Sequence, residues 1–161
     1  MNSNGQIMSL DLIASVLVFL LVFSFLYQSY TMNLDRYRIQ QRAREIQNRV
    51  QSHAELLVSS PGFPIDWNFQ SVTVIGLAIE PNVLDPQKIS ILRAMTIADY
   101  NSVRNIMNLN AYEFRIDIDS NNNLLDTNFG KDTNGFSDVF ASEKIVTIGG
   151  DYAAFRLSLF R

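Results

Sequence analysis

The sequence contains no cysteine among its 161 residues. A chain without thiols cannot form disulfides, thiolate metal sites or a cysteine nucleophile. It also contains a single histidine, His53, which excludes a paired-histidine metal motif. A transition-metal site would therefore have to be built from carboxylates, which suit magnesium, calcium and manganese better.

An excess of basic residues is also missing. Lysine and arginine together number 13 against 16 aspartates and glutamates, giving a formal net charge of -3 and a pI near 5.0. A nucleic-acid-binding protein needs positive charge to neutralise phosphates. We therefore expect no nucleic-acid partner.

Common enzyme motifs are absent as well. The sequence has no phosphate-cradling glycine loop and no G-x-S-x-G nucleophile elbow. We therefore expect a protein that is not an enzyme and that uses no cofactor. The alternative is an enzyme with an unfamiliar site, which would need a deep pocket that gathers carboxylates with lysine or arginine.

One long apolar run dominates the start of the chain. Asp11 is the only charged residue in 7–30, and a helix needs about 20 apolar residues to cross a bilayer. A secretory signal peptide would have a shorter apolar core, a basic start and small residues at a cleavage site. Here the core is followed by Tyr27, Gln28, Ser29 and Tyr30. We predict a transmembrane helix over 7–30.

A second helical segment is predicted directly after the apolar run, over 31–60. No proline or glycine occurs between Ile7 and Ser60, and apolar residues recur every three or four positions: Ala43, Ile46, Val50, Ala54 and Leu57. Arginines occupy the other faces. The pattern predicts one continuous helix about 75 Å long. The alternative for its second half is an ordinary amphipathic helix packed on its own domain.

Two prolines and a glycine in 60–64 end the helix and begin a predicted head domain over 61–161. Alternating or β-branched residues predict strands over 71–79, 112–119, 144–148 and 153–160. A helix is predicted from Asp85-Pro86 through Met95, a second over 97–109, and a polar loop over 121–136. The predicted fold class is α+β: a long N-terminal helix, transmembrane and then amphipathic, and a small head with antiparallel sheet and two short helices.

One stretch has oxygen side chains at alternate positions, as at the start of a calcium loop: Asp117, Asp119, Asn121 and Asn123. It lacks the glycine of the sharp turn, where Asn122 stands, and the glutamate at the twelfth position, where Asn128 stands. We therefore predict an asparagine-rich turn and no metal site. His53 lies beside Ser52 and Glu55 on the predicted helix, and we expect it to be a solvated helix residue.

The order Gly5-Gln6-Ile7-Met8-Ser9-Leu10-Asp11 before the apolar run resembles the processing region of archaeal type IV prepilins and pilin-like proteins. In that family a membrane aspartic peptidase cuts in front of the apolar helix, and the usual pattern is Gln, any residue, Ser, any residue, Glu. The resemblance implies a leader peptide over 1–6, with Gly5 before the cut. The new terminus would be Gln6 or, because two residues separate Gln6 from Ser9, Ile7.

The head carries a looser resemblance to uncharacterised archaeal pilin-like proteins, in Ser60-Pro61-Gly62-Phe63-Pro64, Trp67 and Ile75-Gly76-Leu77-Ala78. Together the two resemblances imply a single-pass membrane subunit with an extracellular head that assembles into, or primes, a surface filament or secretion-type pseudopilus. The implied partners are the membrane, the prepilin-type peptidase and other copies or pilin-like subunits, bound through the N-terminal helix.

Asp11 takes the place of the family's acid. By the resemblance, its carboxylate would neutralise the freed N-terminal amine of a neighbouring subunit and help set the register, because an unpaired buried charge is strongly disfavoured. The alternative is that Asp11 stays hydrated at the membrane interface or interacts with the helix dipole.

The distribution of arginine supports a different orientation. No lysine or arginine precedes Arg36, yet five arginines lie between Arg36 and Arg49, and the positive-inside rule would then place the head in the cytoplasm. The alternative function is a single-pass, membrane-anchored binding protein that does not form filaments.

Overall fold

The computed structural model describes residues 4–120 and 127–161, without the side chains of residues 4–11, 33–36 and 39. The chain divides into two compact units, which we call the N-terminal unit, 1–44, and the C-terminal unit, 45–161. The class is α+β, with an N-terminal apolar helix and a mixed sheet accompanied by helices. The coarse prediction of fold class is therefore confirmed.

The first helix, α1, spans Asn4–Ser59. It confirms the prediction of one uninterrupted helix, which follows from the absence of proline and glycine between Ile7 and Ser60. Ser59 is its last residue, directly before the Ser60-Pro61-Gly62 break. The N-terminal unit is helical throughout its described residues, and the final part of α1 belongs to the C-terminal unit.

The described residues of the C-terminal unit form two further helices and six strands. The helices are α2, Pro86–Ala98, and α3, Tyr100–Ile106. The strands are β1, Ala78–Glu80; β2, Val83–Leu84; β3, Glu113–Ser120; β4, Thr127–Gly130; β5, Val139–Ile148; and β6, Asp151–Phe160. They form one sheet in the order β1-β2-β5-β6-β3-β4.

The core of this unit lies between one face of the sheet and the helices. From α1 it receives Val50, Ala54 and Leu57, all buried, so the predicted apolar stripe is confirmed in that part of the helix. The strands contribute alternate residues, as a half-buried sheet requires: Phe114, Ile116 and Ile118 from β3, and Phe155, Leu157 and Leu159 from β6.

The prediction of a purely antiparallel sheet is wrong at one pairing. β2 runs parallel to β5, with Val83 opposite Thr147 and Leu84 opposite Ile148. The other pairings are antiparallel. β2 has only two residues, too few for periodicity to reveal a strand or its direction.

The predicted strand over 71–79 is also wrong for most of its length. Only Ala78 and Ile79 belong to β1, and Val74 forms an isolated bridge with Phe63. The backbone of this segment bonds to the end of α1 instead: the Leu77 N–H donates to the Leu57 carbonyl at 2.9 Å, and the Ala78 N–H to the Ser60 carbonyl at 3.1 Å. These bonds use the donors that a strand ladder would need.

The predicted loop over 121–136 is interrupted by β4, while residues 121–126 lie outside the described part of the chain. The predicted helix over 97–109 begins later, because Asp99 caps α3 by accepting a 3.0 Å hydrogen bond from the Ser102 N–H. Asp85 caps α2 in the same way, through the Gln87 N–H at 2.8 Å, as its place before Pro86 predicts.

The last hairpin confirms two predicted strands, and both are longer than predicted. β5 begins at Val139 and β6 at Asp151, joined by Gly149 and Gly150. Both glycines have positive φ, 60° and 97°, which is the backbone of a type I′ turn and explains the glycine pair.

Candidate functional site

The apolar segment of α1 is the largest exposed hydrophobic feature in the described part of the chain. Residues Leu12–Met32 form a helix long and apolar enough to cross a membrane, and none of it is buried. Its large apolar side chains are between 49% exposed at Val16 and 72% exposed at Phe25. The segment is compatible with a single-pass anchor and, being close to the N-terminus, also with a signal sequence.

Large side chains occupy every side of this segment, and aromatic rings are frequent among them. Phe19 and Phe23, one helical turn apart, stack with ring centroids 6.1 Å apart. A helix that is apolar all round needs lipid or other protein around it. The segment can therefore act as an anchor or as a surface for packing against other apolar helices.

The residues predicted for processing and assembly are Gly5, Gln6, Ile7 and Asp11. Their backbone lies within α1, but their side chains lie outside the described part of the structure. The cleavage position and the pairing role of Asp11 therefore remain predictions.

Four arginines of the following part of α1 have exposed side chains: Arg38, Arg42, Arg44 and Arg49. The side chain of Arg36 lies outside the description. The Arg49 guanidinium lies 5.8 Å from the centre of the Tyr112 ring, within the range of a cation–π interaction. Arg49 thus makes a contact between α1 and the residue that precedes β3.

A polar groove separates the last turns of α1 from β5. Two contacts cross between these elements: the Gln47 amide donates to the Ala141 carbonyl at 3.2 Å, and Lys144 pairs with Glu55 at 2.7 Å. Between them is an open space of about 760 Å³, lined by α1 residues such as Gln51 and Ser52 and by Ser142 of β5. The sequence prediction missed this groove, because it began β5 only at Lys144. The β-branched and aromatic character of Val139-Phe140 was the available signal.

His53 is half-buried and not fully solvated, which corrects the sequence-based expectation. Burial, together with the nearby charge of Arg49, lowers the pKa of the imidazole below its ordinary value. His53 contributes to the packing of α1, and the described residues place no second ligand or nucleophile with it.

The calcium-like stretch is only partly described. Asp117 lies on β3, where its carboxylate accepts a 2.8 Å hydrogen bond from Arg115, and Asp119 is exposed on the same strand. Asn121 and Asn123 lie outside the described residues. Among the described residues there is no group of three or more histidines, cysteines, aspartates or glutamates that could hold a metal ion.

A charged cluster lies where α3 meets β3 and the end of β4. The Glu113 carboxylate accepts hydrogen bonds from Arg104 and Lys131, both at 3.1 Å. Burial acts to raise the pKa of Glu113, but the hydrogen bonds from Lys131 and Tyr100 and the two cations outweigh it, and the pKa is lowered. Burial raises the pKa of the Tyr100 hydroxyl. These contacts tie the helix to the sheet.

No protein-family model, curated protein or solved structure matches this chain.

Proposed function

We propose that the chain is a pilin-like structural subunit, without enzymatic activity, anchored in the cell membrane by the apolar part of α1. It assembles through that helix into a surface filament or a secretion-type pseudopilus. The observation that carries this proposal is the exposed apolar segment Leu12–Met32, which directly follows the processing-like sequence 5–11.

The physical basis of assembly is an exchange of environments. In the membrane, the apolar side chains of 12–32 contact lipid. In a filament, the same side chains pack against the helices of neighbouring copies, so an equivalent apolar environment is kept. Cleavage before Gln6 or Ile7 by a prepilin-type peptidase frees an amine. The Asp11 carboxylate of a neighbouring copy pairs with that amine, because both charges are costly to leave alone in an apolar bundle.

The structure of the C-terminal unit is consistent with a subunit whose fold does not depend on the apolar segment. Its core is built from the end of α1, two helices and the sheet. In this proposal the C-terminal unit lies outside the cell, as the processing-like sequence implies, and forms the surface of the filament.

Electron microscopy of cells that produce the chain tests this proposal. Surface filaments that bind an antibody against the C-terminal unit are the expected result, and they should disappear when the prepilin-type peptidase is removed. A chain that is extracted only as a detergent-solubilised monomer, with no filaments on producing cells, would support the membrane-anchored binding protein instead.

A further inference from the structure

One edge of β5 has no partner strand along most of its length. β5 pairs with β6 over 139–148, but with β2 only at Thr147 and Ile148. In the part of the chain that the structure describes, residues 139–146 therefore face no strand on their other side. Proteins usually pair, cover or blunt such an edge, because its free N–H and C=O groups can bind another strand.

The turn geometry identifies which backbone groups are free. Ile148 and Asp151 close a two-residue hairpin, so the even-numbered residues of β5 bond to β6 and the odd-numbered residues point away from it. Two contacts agree with this assignment: the Thr147 N–H donates to the Asn82 carbonyl at 2.8 Å, and the Ala141 carbonyl accepts from Gln47. Glu143 and Ile145 belong to the same outward-facing set, and no described group bonds to their backbone.

This edge of β5 borders the polar groove against α1, and of the outward-facing residues Glu143 lines that groove. Its acids are already paired: Glu55 with Lys144 at 2.7 Å, and Glu143 with Arg156 at 2.6 Å. The groove therefore carries little net charge, and Leu56 is the one apolar side chain in its lining. Such a lining does not suit a mostly apolar small molecule. The Glu55–Lys144 pair is partly exposed and so contributes little to stability, which allows it to rearrange around a ligand.

We propose that this groove binds an extended segment of a different polypeptide, which adds to the sheet as a strand beside β5. Donors and acceptors that recur on alternate residues along one edge are matched by the backbone of another strand. The neutral, polar lining favours a segment with small polar side chains. The β1 and β4 edges of a second copy fit less well, since these strands are only three and four residues long. This proposal does not depend on filament assembly.

A dye-labelled peptide, Thr-Val-Ser-Lys-Ser-Val-Thr, is a suitable probe, and fluorescence polarisation with the full chain in detergent micelles measures its binding. Its residues other than the lysine are small, and its palindromic sequence reads the same in both strand directions. Ile145→Pro removes an outward N–H without removing a bond to β6, and Ile145→Ala removes the side chain while keeping that N–H. We expect the proline variant to bind roughly tenfold more weakly and the alanine variant to bind within about threefold of the wild type.

Two N-methylated forms of the probe repeat the test on the unchanged protein. Methyl groups on the second, fourth and sixth nitrogens block one edge of the peptide, and methyl groups on the third and fifth block the other. A paired strand uses one edge, so one form should lose binding and the other should keep it. Equal binding of both forms, or no binding of the unmodified probe at about 1 mM, would overturn the proposal. Self-association that is lost in Ile145→Pro would overturn the assignment to a different polypeptide.

Discussion

Gly62 and Gly76 lie so close together that neither has room for a side chain. A Cβ on Gly62 would lie 2.8 Å from the Gly76 nitrogen and 2.8 Å from Cδ1 of Trp67, and a Cβ on Gly76 would collide with the Ser60 carbonyl. The Trp67 indole N–H stabilises this close approach of the two backbone segments by donating a hydrogen bond to the Gly76 carbonyl at 2.9 Å. Two small residues thus allow the segment after α1 to bind the segment before β1.

Gly76→Ala should destabilise the C-terminal unit by about 2 kcal/mol or more, because the added methyl group meets backbone atoms that cannot move aside. Gly135→Ala is the matched control. A Cβ there meets nothing within 4 Å. That variant should therefore lose only about 1 kcal/mol of stability, because alanine is disfavoured at the positive φ of this residue. Denaturant titration followed by Trp67 fluorescence measures both values, and equal losses would contradict the steric argument.

Asp11→Ala should reduce filament yield about tenfold or more, because it leaves the N-terminal amine of the neighbouring copy unpaired in an apolar environment. Asp11→Glu keeps a carboxylate and should retain most of the yield. Immunoblotting of sheared surface fractions measures yield, and blotting of membranes checks that both variants are still inserted. An alanine variant that assembles normally would contradict the pairing role but not the membrane anchor.

Helix α1 shows how much of an element can be predicted from its sequence. Its continuity follows from the lack of helix breakers, and its buried stripe at Val50, Ala54 and Leu57 follows from the spacing of apolar residues. β2 and β4 could not be predicted, since each has too few residues for a periodic pattern and exists through its pairing with another strand. The earlier start of β5 could have been predicted from Val139-Phe140, but the groove beside it also depends on where β2 ends and where α1 passes, which are set by tertiary packing.

His53, on the same helix, makes the stability of the C-terminal unit depend on pH. Burial, and then Arg49, lowers the pKa of its imidazole in the folded state, so the unfolded chain binds a proton more readily. The corresponding stability is fully present above the unfolded pKa of about 6.5 and decreases as the pH falls below it. We expect the wild type to lose about 1 to 3 °C more in Tm than His53→Gln between pH 8 and pH 5. Thermal unfolding followed by circular dichroism measures both, and parallel profiles would contradict this expectation.

At the scale of the whole molecule, the chain combines an apolar unit with a unit that has its own core. Residues 45–161 contain the buried cluster, including Val50, Leu57 and Val58 from the end of α1. The exposed apolar residues of 12–32 contribute nothing to that cluster. The apolar segment and the residues that enter the core are therefore different parts of one helix.

Two truncated chains test whether the apolar segment and the buried residues of α1 have separate roles. A chain of residues 45–161 should be soluble, folded and no longer bound to membranes. A chain of residues 61–161 lacks the buried residues of α1 and should lose several kcal/mol, enough to unfold a small domain. Circular dichroism and thermal unfolding distinguish the two chains. A shorter chain that is as stable as the longer one would show that α1 is not part of the core.

We propose above that the chain is processed like a prepilin and is then assembled through its apolar helix. N-terminal mass spectrometry of the protein from its native membrane or surface fraction tests that claim most directly. We expect a mature start at Gln6 or Ile7, with the apolar segment retained. A start at Met1 or Asn2 would contradict it, and the arginines between Arg36 and Arg49 would then support an uncleaved anchor with a cytoplasmic C-terminal unit.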